Sequence, residues 1–157
     1  MTDSQPRVPV RRLTPAPYLR VHSAARAIAF YAAVFGAEEI VRLVEPGGRV
    51  AHAELRMGAL GEASLMLSEE YPELGLVGPQ TSGTPVALQC YVDDVDATCV
   101  NAIAAGGIVL KAPAQDPFGD RAAKLVDPCG HEWLVATRVE DISAEEMQRR
   151  FARMWAQ

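Results

Sequence analysis

From Pro15 onward apolar and polar positions first alternate and then switch period, and the order of the switches predicts the fold. Tyr18-Leu19-Arg20-Val21 alternates as a half-buried strand does, and Ser23 follows as a helix N-cap. Ala24, Ile28, Tyr31 and Phe35 then recur at helical spacing, and the run stops at Gly36, where a helix closes on a left-handed residue. Three strand-like runs come next: Glu38 to Val44, Val50 to Met57 and Ala63 to Ser68. Pro46-Gly47-Gly48 turns the chain between the first two, and a glycine-bounded turn separates the last two. The unit is βαβββ.

The same order returns after Glu69 to Pro85, a stretch rich in Gly, Pro, Ser and Thr. Val86 to Val92 reads as a strand, Asp94 caps a helix that runs to Ala105, and Gly106-Gly107 end it before Ile108 to Lys111. Shifting the chain by 71 positions lays Val21 on Val92, Ser23 on Asp94, Ile28 on Cys99 and Gly36 on Gly107; a shift of 72 lays Arg49 on Arg121 and Gly58 on Gly130. Modules of about 70 residues are too small to bury a sheet face alone, which gives a physical reason for pairing them. Ser143 to Ala156 opens with a capping box, Ser143 and Glu146, and carries Met147, Phe151 and Met154 on one stripe. The predicted class is α+β, with two tandem βαβββ modules and a C-terminal amphipathic helix. The predicted divisions are a disordered tail 1–13, a first module 14–68, a linker 69–85, a second module 86–140 and the terminal helix 141–157.

Composition narrows the partners. The chain has 157 residues, 49% of them apolar and 22% charged, a globular balance. Fifteen basic against twenty acidic residues give a net charge of −5, so neither nucleic acid nor an anionic membrane is an expected partner, and the pair Arg149-Arg150 in a mixed helix does not change that balance. No window approaches the ~18 apolar residues of a spanning helix. Cys90, Cys99 and Cys129 are odd in number and lack CxxC spacing, which argues against a disulfide framework and fits a reducing cytoplasm.

Four stretches, Pro17-Tyr18-Leu19-Arg20-Val21, Ala27 to Glu38, His52-Ala53-Glu54-Leu55-Arg56 and Val126-Asp127-Pro128-Cys129-Gly130-His131-Glu132-Trp133, together resemble the vicinal oxygen chelate superfamily of glyoxalases, bleomycin-resistance proteins and extradiol dioxygenases, most closely its PhnB-like branch. The resemblance covers about residues 14 to 140. It implies paired modules whose mixed sheets curl around a cavity, commonly in a homodimer. It does not fix the chemistry, because the fold hosts metal-dependent enzymes beside metal-free drug binders. Metal-dependent members place His, Glu or Gln on the first and last strand of each module; the matching positions here are Ala16, Met66, Ala87 and Leu134, which offer no donor for a hard cation.

Strand parity then proposes a cavity wall. Ala51, Ala53, Leu55 and Met57 take the helix side of their strand, leaving His52, Glu54 and Arg56 opposite. If that side is the cavity, the wall comprises Tyr18, Arg20, His52, Glu54, Met66, Gln89, Tyr91 and Leu134, a mix suited to an organic ligand. His52 and Glu54, two apart on a strand, set an imidazole and a carboxylate on one face and are the candidate catalytic pair; the plain alternative is a solvated face with cross-strand ion pairs. Asp116 to Arg121 reads as a turn around Gly119 with Asp120 pairing Arg121, and Asp127-Pro128-Cys129-Gly130 as a β-turn with Cys129 at an exposed tip. Trp133, Cys90 and Cys99 have core parity, and His22 reads as a surface residue. The expectation is a cytoplasmic homodimer that binds a small drug or metabolite without a cofactor. The alternative is a lyase, isomerase or dioxygenase using Zn, Ni, Mn or Fe, with His52 or Glu54 as ligand or proton carrier and Gln89 or Glu132 as further donors.

Overall fold

A computed structural model describes residues 15–58, 63–79 and 84–156, with only the backbone at 63 and 64. The predicted tail 1–13 lies outside the described residues. The first module runs β1 (Tyr18–Val21), α1 (Ala24–Phe35), β2 (Glu38–Val44), β3 (Val50–Arg56) and β4 (Ala63–Glu69). The second runs β5 (Ala87–Tyr91), α2 (Val95–Ala104), β6 (Ile108–Gln115), β7 (Asp120–Val126) and β8 (Glu132–Arg138); α3 (Ala144–Met154) follows. Each module builds one four-stranded mixed sheet, ordered β1-β4-β3-β2 and β5-β8-β7-β6, in which the first strand lies parallel to the last and the other neighbours are antiparallel. The paired βαβββ fold is as the sequence predicts. Between the modules the linker holds a short 3-10 turn, Pro72–Leu74, closed by a bridge between Tyr71 and Leu76. No helix among the described residues is long and apolar enough to cross a membrane.

The helix ends follow from local chemistry. Ser23 accepts from the Arg26 amide, Asp94 from the Ala97 amide and Ser143 from the Glu146 amide, each satisfying an otherwise orphaned donor. Gly36, at φ 63°, ends α1 in the left-handed region. Glu69, at the end of β4, accepts from the amides of Ala24 and Val50, so one carboxylate ties the start of α1 to the start of β3.

One hydrophobic core runs through both modules. The helical stripe is wider than its sequence pattern: Ala24, Ala27, Phe30, Tyr31 and Val34 are the buried residues of α1, whereas Ile28 and Phe35 pack at its margin. The reason is that α1 serves two surfaces, its own sheet and the second module, where Tyr31 and Phe35 meet Trp133 at ring separations of 5.4 and 4.7 Å. A two-sided contact buries more than a one-sided amphipathic pattern reveals. The repeat is also in a different register at its third strand. β3 and β7 have identical burial patterns and superpose with a shift of 70, not 72, the shift that already relates the first residues of β2 and β6.

Candidate ligand site on the open sheet faces

Each sheet buries one face under helices and leaves the other open, and the alternation sorts the candidate residues. In the first module Leu19, Val21, Ala53, Leu55, Leu65 and Leu67 turn inward and are nearly or fully buried. Tyr18, Arg20, His52, Glu54 and Met66 turn outward together, with Met66 directly between Tyr18 and Glu54 in the strand register. The Tyr18 hydroxyl lies 2.8 Å from His52 Nδ1, and His52 Nε2 lies 3.1 Å from Glu54 Oε1. A carboxylate can only accept, so Nε2 carries a proton, and in the neutral imidazole Nδ1 then accepts from the phenol. Tyr18 is 43% exposed, and the side chains of His52 and Glu54 are 22% and 12% exposed, so the chain of bonds leads from solvent inward. Arg20 lies over the Tyr18 ring, 4.6 Å from its centre, and donates to Ser68 Oγ.

The second open face differs. Gln89 pairs with Leu134 in register, and Leu134 with Lys124; Gln89, Tyr91 and Leu134 are exposed. The Tyr91 hydroxyl donates to Asp120 Oδ2 at 2.8 Å and accepts from Arg138 at 3.0 Å, while Arg138 also pairs with Asp120 at 2.6 Å. Asp120 therefore pairs with Arg138 rather than with Arg121. Successive strand residues point to opposite faces, and Arg121 instead reaches Asp96 of α2 at 2.6 Å. Lys124 and Glu132 form a further pair at 2.6 Å.

The hydrogen bonds and ion pairs described for each open face stay within its own module. The structure thus brings together Tyr18, Arg20, His52, Glu54 and Met66, and separately Gln89, Tyr91 and Leu134. Two cavities border the free edges of β1 and β5. One, of about 890 Å³, lies between α1 and α2 and includes Gln89 and Tyr91 in its wall; the other, of about 500 Å³, includes Tyr18 and Arg20.

Sequence reasoning missed a polar group at the module junction. Asp127 is only 3% exposed and accepts from Tyr31 Oη (2.6 Å), Trp133 Nε1 (3.0 Å) and the amides of Cys129 and His131. Burial pushes its pKa up, but His131, Tyr31 and Trp133 together outweigh that and hold it below the ordinary carboxylate value. The same burial, reinforced by Asp127, drives the Tyr31 phenol well above its usual range. Cys129, read as an exposed tip, is 6% exposed because its turn packs against the start of α1, with Sγ 3.9 Å from the Ser23 carbonyl. Burial raises the pKa of all three thiols, that of Cys90 to about 11, so none is an activated nucleophile.

A family model described as the glyoxalase/bleomycin resistance protein/dioxygenase superfamily matches residues 12–135. The chain belongs to this superfamily. An uncharacterized protein of Mycobacterium bovis is 35% identical over 136 residues, 84% of this chain and 88% of its own. A putative glyoxylase of the same organism, CFP32, is 33% identical over 106 residues, which cover 66% of this chain and 36% of that protein. Among solved structures, a glyoxalase/bleomycin resistance protein/dioxygenase family enzyme from Burkholderia phytofirmans is similar with a TM-score of 0.62 at 26% identity, over 77% of this chain and 94% of that one.

The strand register places the positions that the resemblance assigns to a metal. Met66 sits opposite Tyr18, Ala87 opposite Glu132 and Leu134 opposite Gln89, so the positions fall on the open faces but offer a thioether and two hydrocarbon side chains; Ala16 adds a methyl group. That donor set does not fit a hard divalent cation. Nor do three His, Cys, Asp or Glu side chains converge anywhere among the described residues.

Proposed function

We propose that this superfamily member, of the PhnB-like branch, binds a small organic molecule, a drug or metabolite, on its open sheet faces without a metal, as a cytoplasmic homodimer. The observation that carries the reading is the pair of open sheet faces. They present Tyr18, Tyr91 and Leu134 at 43%, 54% and 39% exposure beside Arg20, His52, Glu54 and Gln89, the composition of an organic-ligand pocket. Neither face is covered by the other within one chain, so a second copy is the partner that encloses the ligand.

A thermal-shift screen of aromatic metabolites and antibiotics tests it. A ligand at 100 times its dissociation constant adds about 2.7 kcal/mol to stability. Binding that Met66→Asp and Leu134→Asp abolish supports the assignment; a melting temperature unmoved across the screen overturns it. Stoichiometric Zn, Ni, Mn or Fe in protein purified without chelator would favour the metal-dependent enzyme instead.

A further inference from the structure

We infer a separate ligand site, independent of the reading given for the open sheet faces: the cavity of about 890 Å³ between α1 and α2, with a flat aromatic cation as its occupant. It lies on the helix side of β5 and reaches round that strand's free edge to Gln89 and Tyr91. The repeat shows how it arises. With the caps Ser23 and Asp94 aligned, Phe30, Tyr31, Val34 and Phe35 of the first module fall on Asn101, Ala102, Ala105 and Gly106 of the second. Phe30 is 1% exposed, whereas Asn101 is exposed and lines the cavity. α2 also lies chiefly over β6 and β7, so the inner side of β5 stays partly uncovered. There Cys90 and Val92 are half-buried, while their counterparts Leu19 and Val21 are buried. Unfilled apolar space costs stability, and the first module closes the same space with larger side chains. The hollow therefore belongs to this sequence and is not a requirement of the fold.

The wall sets the class of occupant. A volume of about 890 Å³ falls within the roughly 300–1,000 Å³ of small-molecule pockets. Phe35, Leu65, Leu88 and Trp133 make its apolar side, with the Phe35 ring 4.7 Å from that of Trp133, so an aromatic ligand meets both hydrocarbon and π surface. Asp93 and Asp94 are its charged residues, and no basic side chain lines it among the described residues. Asp94 accepts from the Ala97 amide and offsets the roughly half positive charge at the start of α2, which leaves the Asp93 carboxylate to set the sign. Elsewhere the acids of candidate sites are answered: on the open faces Glu54 meets His52, Asp120 meets Arg138 and Glu132 meets Lys124. The smaller cavity carries Arg20 and His131. A cation delocalised over fused rings suits both sides of this wall, because its rings lie against Phe35 while its charge faces the two aspartates. Gln89 and Asn101 add amide oxygens that accept from ring amino groups.

Proflavine, a planar cation at neutral pH, is the probe, and Cys90 in the wall is the reporter. On the full chain, a fluorescence titration should saturate. Dye at about ten times its dissociation constant should slow N-ethylmaleimide labelling of Cys90 about tenfold, read by peptide mapping. Cys99 and Cys129, both buried, should keep their own rates; equal slowing at all three reports general stabilisation and overturns the site. Ala97→Trp, which fills the cavity from an exposed helix position, should abolish the fluorescence change with little shift in melting temperature, and undiminished binding in that variant overturns the site. Asp93→Asn combined with Asp94→Asn, which keeps a capping side chain, should weaken the dye about tenfold. Anilinonaphthalene sulfonate, aromatic but anionic, should bind more weakly than proflavine; equal affinity, or an unchanged affinity for proflavine in the double variant, overturns the cation. Met66→Asp and Leu134→Asp alter only the open faces and should leave Cys90 protection intact, and its loss in either puts the dye on those faces and overturns the proposal. Cys90 as slow as Cys99 before dye is added means that the chain itself fills the cavity, and labelling that slows as protein concentration rises means that a second copy does; either result overturns the proposal. The open-face reading fails on an unresponsive thermal-shift screen and this one on an unprotected Cys90, so each can fail alone.

Discussion

Asp127 shows how one residue can join two modules. Its partner Tyr31 is 96 positions away in the chain, on the helix of the other half. Replacing one carboxylate oxygen by an NH2 group leaves either the buried phenol and indole N–H or the two amides facing a donor, and Asp127→Asn should cost about 3 kcal/mol at neutral pH, read from denaturant unfolding. The sign with pH follows from the lowered pKa. The charged form is favoured by folding, so its contribution is complete above the unfolded value near 4 and is lost as pH falls through the lower folded value. Melting temperature plotted against pH should therefore drop more steeply below about pH 4 in the wild type than in Asp127→Asn. In the sequence Asp127 is legible only as the first residue of an Asp-Pro-x-Gly turn. Its buried role depends on a contact between halves that no local pattern encodes. His52 and Glu54 were legible as a pair because strand spacing alone puts them on one face. Tyr18's bond to His52 crosses β4 and needs the register of three strands.

At the level of elements, caps and periodicity carried most of the information. Ser23, Asp94 and Ser143 were readable as N-caps, and each accepts the amide three residues on. Asp94→Ala should cost about 1 kcal/mol in thermal or denaturant unfolding. How α3 docks was not readable, since Arg149, Arg150 and Arg153 look alike in a mixed helix. The structure turns Arg150 inward, to the Pro117 carbonyl at 3.1 Å and to Glu140 at 2.7 Å, while Phe151 meets Phe118. Gly119, at φ 95°, closes that anchoring turn, where a Cβ would run into the Glu140 carbonyl oxygen. With its apolar residues largely exposed, α3 depends on this polar tether. Arg150→Met should accelerate hydrogen exchange across residues 144–154 while β5 to β8 exchange as before; unchanged exchange in α3 would show that the aromatic contact suffices.

For the molecule as a whole, the repeat separates what builds the fold from what faces a ligand. Caps, turn glycines and the inward burial pattern recur between halves, whereas the open faces diverge, one with the Tyr18 to Glu54 row and the other with Leu134 beside the Tyr91, Asp120, Arg138 cluster. A two-fold axis laying the first face of one copy against the second face of its partner would build two equivalent sites, each from unlike halves. Mixing variants distinguishes that arrangement from a site within one chain. Met66→Asp spoils the first face and Leu134→Asp the second, so neither variant alone should bind. If the site spans two copies, a dimer formed from one of each has one face pair carrying both changes and one carrying neither. After random exchange in an equal mixture, about a quarter of wild-type capacity should then return in a calorimetric titration with a ligand from the thermal-shift screen. If both faces of a site belonged to one chain, every site in the mixture would still hold one aspartate, and no capacity would return.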